Sequence, residues 1–233
     1  MKKSFLLSLL IFLGCKETFE ILVQKPTFGI VIHGGAGTIL RKSMTPEKEA
    51  NYRAVLTEAI QVGYEILKAG GSSQKAVEKT IHIMEDSPLF NAGKGAVLNS
   101  NASIELDASF MNGKSLDAGA ISGVRTVKHP ISAAIKVMEA SPHVMLSGSG
   151  ADTFASEQGL EIVSPEYFYT ERRINALKQV QEAANAMQST LKPYENEFLK
   201  HQLYGTVGCV ALDLSGNLAA GTSTGGMTNK KWN

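Results

Sequence analysis

The stretch Leu203-Tyr204-Gly205-Thr206-Val207-Gly208-Cys209-Val210-Ala211-Leu212-Asp213 constrains the chain more than any other, because a glycine and then a hydroxyl residue open an apolar run. Thr206 to Asp213 reads as one strand and Leu218 to Thr224 as the next, joined by Leu214-Ser215-Gly216-Asn217. Such a hairpin returns Thr224 to the level of Thr206. Two hydroxyls then meet at its open end.

A threonine that opens a strand is ordinarily a β-former in its preferred place. The functional reading makes Thr206 a catalytic nucleophile. Its hydroxyl needs a base, and an N-terminal threonine uses its own α-amine, whose pKa lies near about 7.7 to 8.0. That amine would appear only on cutting Gly205-Thr206. Glycine suits the cut, because it leaves its carbonyl open to attack and tolerates unusual backbone angles.

Downstream lies Gly221-Thr222-Ser223-Thr224-Gly225-Gly226-Met227-Thr228-Asn229-Lys230; upstream lie Ile32-His33-Gly34-Gly35-Ala36-Gly37 and Pro88-Leu89-Phe90-Asn91-Ala92-Gly93. With the Gly205-Thr206 block, and in this order, they resemble the plant-type L-asparaginase and isoaspartyl peptidase family of N-terminal-nucleophile hydrolases. Glu105-Leu106-Asp107-Ala108 and Met138-Glu139-Ala140-Ser141-Pro142-His143-Val144-Met145 are similar to that family too. The likeness runs from about Phe28 to the last residue.

The resemblance implies an α/β fold, a four-layer αββα sandwich, incomplete at the C-terminus. Residues 28–205 form the first-subunit part, with 188–205 as a polar linker before the cut, and 206–233 begin the second subunit. It implies a self-cleaving amidohydrolase that converts L-asparagine to L-aspartate and ammonia and cleaves β-aspartyl dipeptides through a threonine acyl-enzyme. Thr206 is the nucleophile, Thr224 supports its hydroxyl and helps maturation, and Gly34 and Asn91 line the surroundings. No cofactor is required for the chemistry. A structural sodium ion is implied on the main-chain carbonyls of Met84, Glu85, Ser87, Phe90, Ala92 and Lys94, and a homodimer of cleaved heterodimers as the assembly. In the family the sequence continues well past the block that ends at Lys230, bringing a substrate clamp and an oxyanion hole. The expectation is that the chain ending at Asn233 is inactive or weak.

Composition adds exclusions. A formal charge of +1 over 233 residues, with both signs interspersed, gives no footprint for nucleic acid. Lys2 and Lys3 precede an apolar run from Phe5 to Leu13, too short for a bilayer span and suited to a secretory signal. The run ends Phe12-Leu13-Gly14-Cys15, which resembles a lipoprotein cleavage box. Residues 1–15 are thus expected as a signal peptide, Cys15 as a lipidation site and 16–27 as a tether. This gives a periplasmic, lipid-anchored enzyme of a bacterial envelope. A plain signal with an incidental cysteine is the alternative. Cys209, the other cysteine, falls on a strand face as a small core residue.

In chain order, Phe28 to His33 reads as a buried strand. Thr45-Pro46 caps a helix with Val55, Ala59, Val62 and Ile66 on one face, ended by Gly70-Gly71. Ser72 or Ser73 caps the next, with Val77, Ile81 and Met84 inward and His82 off the stripe as a surface residue. Ile104 to Phe110 alternates as a strand, with Glu105 and Asp107 on its polar face and no third ligand at metal spacing. Leu116 to Val124 pairs with it through the Asn112-Gly113 turn. A helix from Pro130, a strand from His143 to Ser147 and a helix from Glu166 to Met187 follow. Gly93-Lys94-Gly95 and Gly113-Lys114-Ser115 fail as phosphate-loop motifs, and Gly148-Ser149-Gly150 fails as a serine elbow. None of the five histidines is spaced as a metal pair or a triad member. Two rivals stay open: a glycosylasparaginase-like amidase of the same fold, and a non-enzymatic, ligand-binding lipoprotein.

Overall fold

The computed structural model describes residues 27–35, 44–186 and 205–232. The leader, Cys15, the tether through 26, Ala36-Gly37 and the linker up to 204 lie outside the described residues.

The elements are β1 (Gly29–His33), α1 (Pro46–Lys68), α2 (Ser73–Glu85), β2 (Leu106–Asn112), β3 (Ala118–Val124), α3 (Pro130–Ala140), β4 (Met145–Ser147), α4 (Gly148–Glu157), α5 (Glu171–Ala186), β5 (Val207–Leu212) and β6 (Leu218–Thr224). They build a mixed α/β fold on one six-stranded sheet, ordered β1-β5-β6-β2-β3-β4. Only β3 and β4 pair in parallel; the other neighbours are antiparallel. The second sheet of a four-layer sandwich is not among the described residues.

Helix starts follow the expected chemistry. The Thr45 side chain accepts from Lys48 N, with Pro46 in the first turn, and Ser72 accepts from Lys75 N. Asp213 ties the β5–β6 turn to the helix layer: Oδ1 accepts from Ser215 N at 3.0 Å and Asn217 N at 2.9 Å, while Oδ2 accepts from Ser73 N at 3.2 Å.

Strand alternation separates the two faces. Val77, Ile81 and Met84 of α2 and Ile131 and Ile135 of α3 pack with Leu106, Ala108, Phe110, Ile121, Val207, Cys209 and Ala211 in one core. On the other face, Val31 opposes Val210, Val210 opposes Ala220, and Ala220 opposes Met111. This row is uncovered among the described residues, with Val31 at 67%, Val210 at 46% and Met111 at 45% exposure. No described helix is long and apolar enough to cross a membrane.

His82 departs from expectation. Its side chain is only 16% exposed, because the residue before α3, His129, lies flat on its ring at a centroid distance of 3.9 Å. A helical wheel of α2 alone does not contain that neighbour.

Candidate active site

The β5–β6 pairing sets Val207 opposite Ser223, so Thr206 and Thr224 lie side by side at the end of the hairpin. Thr206 Oγ1 donates to Thr224 Oγ1 at 3.2 Å. The Thr224 hydroxyl accepts from Gly226 N at 3.0 Å and donates to the Gly205 carbonyl oxygen at 2.9 Å. That hydroxyl is therefore satisfied and oriented.

Asn91 arrives from the loop after α2, 114 residues away in sequence from Gly205, and is 6% exposed. Its Nδ2 donates to Gly205 O at 2.9 Å and to Gly226 O at 2.8 Å. Val97 N donates to Asn91 Oδ1 at 2.9 Å, which fixes the amide orientation, since a main-chain N–H can bond only the oxygen. One carbonyl, that of Gly205, thus receives a side-chain amide and a hydroxyl at once.

The loop after β1 closes the other side. Gly35, at φ +119°, lies against Gly205 and the Thr206 nitrogen, a backbone conformation that favours glycine. His33 Nδ1 lies 2.9 Å from Thr206 O, and a carbonyl only accepts, so this nitrogen carries the proton. Gly34 packs instead on Leu56 and Phe90. The contact of His33 left no sequence signal, because it engages main chain. The part of Gly35 was legible only as membership of a glycine-rich loop.

Near the sheet end, Glu105 and Asp107 are engaged elsewhere. Lys230 Nζ lies 3.1 Å from Glu105 Oε2, and Asp107 Oδ1 accepts from Ser122 Oγ at 2.7 Å and Gly123 N at 2.9 Å. Cys209 is buried, and burial pushes its thiol up to about 12, which makes it an inert core residue.

In the segment from Met84 to Lys94, Glu85 O packs on Gly93 and Phe90 O on Gly95, where a Cβ at either glycine would collide with the carbonyl. Neutral main-chain oxygens are the donor type that a hard cation such as sodium takes. Arg173, whose burial lowers its guanidinium to about 10, closes the loop by donating from Nε to Gly95 O at 2.6 Å.

Residues 25–232 match the family model described as Asparaginase. The chain belongs to the asparaginase family. It is 46% identical over 202 residues to an isoaspartyl peptidase of Escherichia coli (strain K12), covering 86% of this chain and 62% of that one. It is 43% identical to an isoaspartyl peptidase/L-asparaginase of Xenopus laevis, covering 86% of this chain and 60% of the relative. It is 38% identical to a probable isoaspartyl peptidase/L-asparaginase 2 of Arabidopsis thaliana, with 87% and 66% covered. The chain thus spans about three fifths of the length of the curated relatives it matches. The hydroxyl pair and Asn91 lie within the matched asparaginase region.

Proposed function

We propose that the bond between Gly205 and Thr206 is cut by Thr206 itself, and that in the whole protein the freed threonine then hydrolyses L-asparagine and β-aspartyl dipeptides. The observation that carries the reading is the Gly205 carbonyl oxygen held by both Asn91 Nδ2 and Thr224 Oγ1, with the Thr206 hydroxyl bonded to the same Thr224 oxygen. The names of the relatives supply the substrates.

In the first reaction the Thr206 oxygen attacks the Gly205 carbonyl carbon. Its proton passes to Thr224, whose own proton moves to the former carbonyl oxygen. The C–N bond breaks as the proton on that oxygen moves to the nitrogen, which frees the Thr206 amine and leaves Gly205 as an ester on the Thr206 oxygen. Water hydrolyses this ester to a Gly205 carboxylate and the free Thr206 hydroxyl. Donors already aimed at the developing charge supply the electrostatic part of the catalysis.

The freed amine then serves as the base for its own hydroxyl. The hydroxyl attacks the side-chain amide of asparagine, or the β-linked bond of a dipeptide, and the amine passes the proton to departing ammonia or amino acid. Water releases aspartate. This chemistry asks for no cofactor. A sodium ion on the Met84–Lys94 carbonyls would hold the loop that carries Asn91 and supply no bond-making chemistry. We also take the assembly to be a homodimer of cleaved heterodimers.

Ammonia release from asparagine and aspartate release from a β-aspartyl dipeptide, each with and without Thr206→Ala, test the reading. Turnover that survives Thr206→Ala would refute it. As to location, we take Cys15 to be lipidated, since one acyl chain alone anchors marginally and lipoprotein maturation adds more. Cys15→Ser is expected to move the protein from the membrane to the soluble fraction, and unchanged membrane association would contradict the anchor.

A further inference from the structure

A second concentration of polar side chains lies in the helix layer, where the last turn of α2 meets the start of α3. His82 and His129 stack with their planes 13° from parallel. The Glu85 side chain is wholly buried. Its Oε1 accepts from Ile131 N at 3.1 Å, capping α3 in place of His129, and its Oε2 lies 3.2 Å from His129 Nδ1. One nitrogen of each ring and one Glu85 oxygen lie within 4.8 Å of one another.

Each ring is also held from its outer side by a carboxylate. Ser132 Oγ donates to Glu78 Oε1 at 2.5 Å, so it accepts from His82 Nε2 at 2.7 Å. Neutral His82 then keeps its lone pair on Nδ1. His129 turns Nε2 towards Asp86 Oδ1 at 3.8 Å, and Tyr167 Oη donates to that same oxygen at 3.2 Å. Metal-bound histidines are supported in this way, the nitrogen remote from the ion facing a carboxylate directly or through another group.

We propose that His82, Glu85 and His129 bind one divalent transition-metal ion of the zinc class, with the remaining position open to water. Two imidazoles and one carboxylate are the donor set that borderline ions prefer. Bonds of about 2.0 to 2.1 Å require the three donors to close to about 3.4 Å from one another. The rings, now 13° from parallel, must also tilt so that a lone pair of each meets the ion, and at 16% and 15% exposure both reach solvent. The ion takes the place of the proton between His129 and Glu85 and releases it, and it offsets the charge of a buried carboxylate. It braces the end of α2 against α3, at the root of the loop that carries Asn91. This site uses side-chain nitrogen and carboxylate donors, and so differs from the main-chain carbonyls of Met84 to Lys94 taken above for sodium.

The full chain, stripped with EDTA, tests this by titration with Zn²⁺ in a calorimeter and with Co²⁺ in a visible spectrometer. One Zn²⁺ per chain is expected to bind, undiminished by excess sodium. His82→Gln and His129→Asn should each weaken binding by at least about a hundredfold, and Glu78→Gln by about tenfold to a hundredfold. The wild-type chain should give a visible Co²⁺ band that Zn²⁺ abolishes, a readout independent of how well any variant folds. A colourless Co²⁺ mixture, no saturable Zn²⁺ binding, competition by sodium, or wild-type affinity in the His82→Gln/His129→Asn double variant would each overturn the proposal.

Discussion

The open end of the β5–β6 hairpin and the histidine cluster in the helix layer handle burial of polar groups in opposite ways. At the hairpin, the groups around Gly205 O are neutral: two threonine hydroxyls, an asparagine amide and main-chain N–H groups. None of these groups ionises near neutral pH, so their arrangement is insensitive to it. In the cluster, imidazoles and carboxylates lie in contact, and burial works against charge on His82 and Glu85. It holds His82 down at about 3, aided by His129, Lys79 and Lys128, and pushes Glu85 up against the opposing pull of His129. The hairpin is therefore sensitive to geometry, and the cluster to pH and metals.

The largest effect expected from sharpening this contrast is at the hairpin. Asn91→Ala removes one of the two donors to Gly205 O, and loss of one such donor costs about a hundredfold to a thousandfold in rate. Thr224→Val should cost at least as much, since it also removes the partner of Thr206. Cleavage followed by denaturing electrophoresis over hours checks both, and wild-type cleavage rates in either variant would break the contrast.

A smaller effect belongs to the cluster. The folded pKa of His82 is about 3 against 6.5 unfolded, so the unfolded chain takes up the extra proton as pH falls through 6.5. The stability gained by keeping His82 neutral is therefore complete above about pH 6.5 and lost towards pH 3, with a slope of at most about 1.4 kcal/mol per pH unit. Glu85, whose pKa is raised above 4.5, acts in the opposite sense, adding stability at low pH that is lost as pH rises through its folded pKa. Glu78, His129, Lys79 and Lys128 face the same ring. In EDTA, His82→Gln should flatten the fall in melting temperature between pH 7 and pH 5, and an unchanged profile would contradict the burial effect.

These two regions were unequally legible in the sequence. The hairpin was readable because alternation along Val207–Leu212 and Leu218–Thr224 and the short turn between them are local signals. The caps at Thr45 and Ser72 are local as well. Asn91 was named only through resemblance, since its bonds to Gly205 and Gly226 cross more than a hundred residues. The cluster was not legible at all. His82 looks like a surface residue on α2, and only the docking of α3 lays His129 across it. Gly34 and Gly35 could not be told apart by type; the backbone path decides that Gly35 faces Gly205 and Thr206.

The central claim is that the Gly205-Thr206 bond is held ready for attack by its own threonine. Intact mass spectrometry of freshly purified chain, followed over days beside Thr206→Ala and Thr206→Ser, measures this directly. Two fragments are expected, the later one beginning at Thr206, with slower cutting for serine and no cut at this bond for alanine. A chain with Thr206 intact that shows no cut before Thr206 for days would contradict it, as would a Thr206-dependent cut at any other bond.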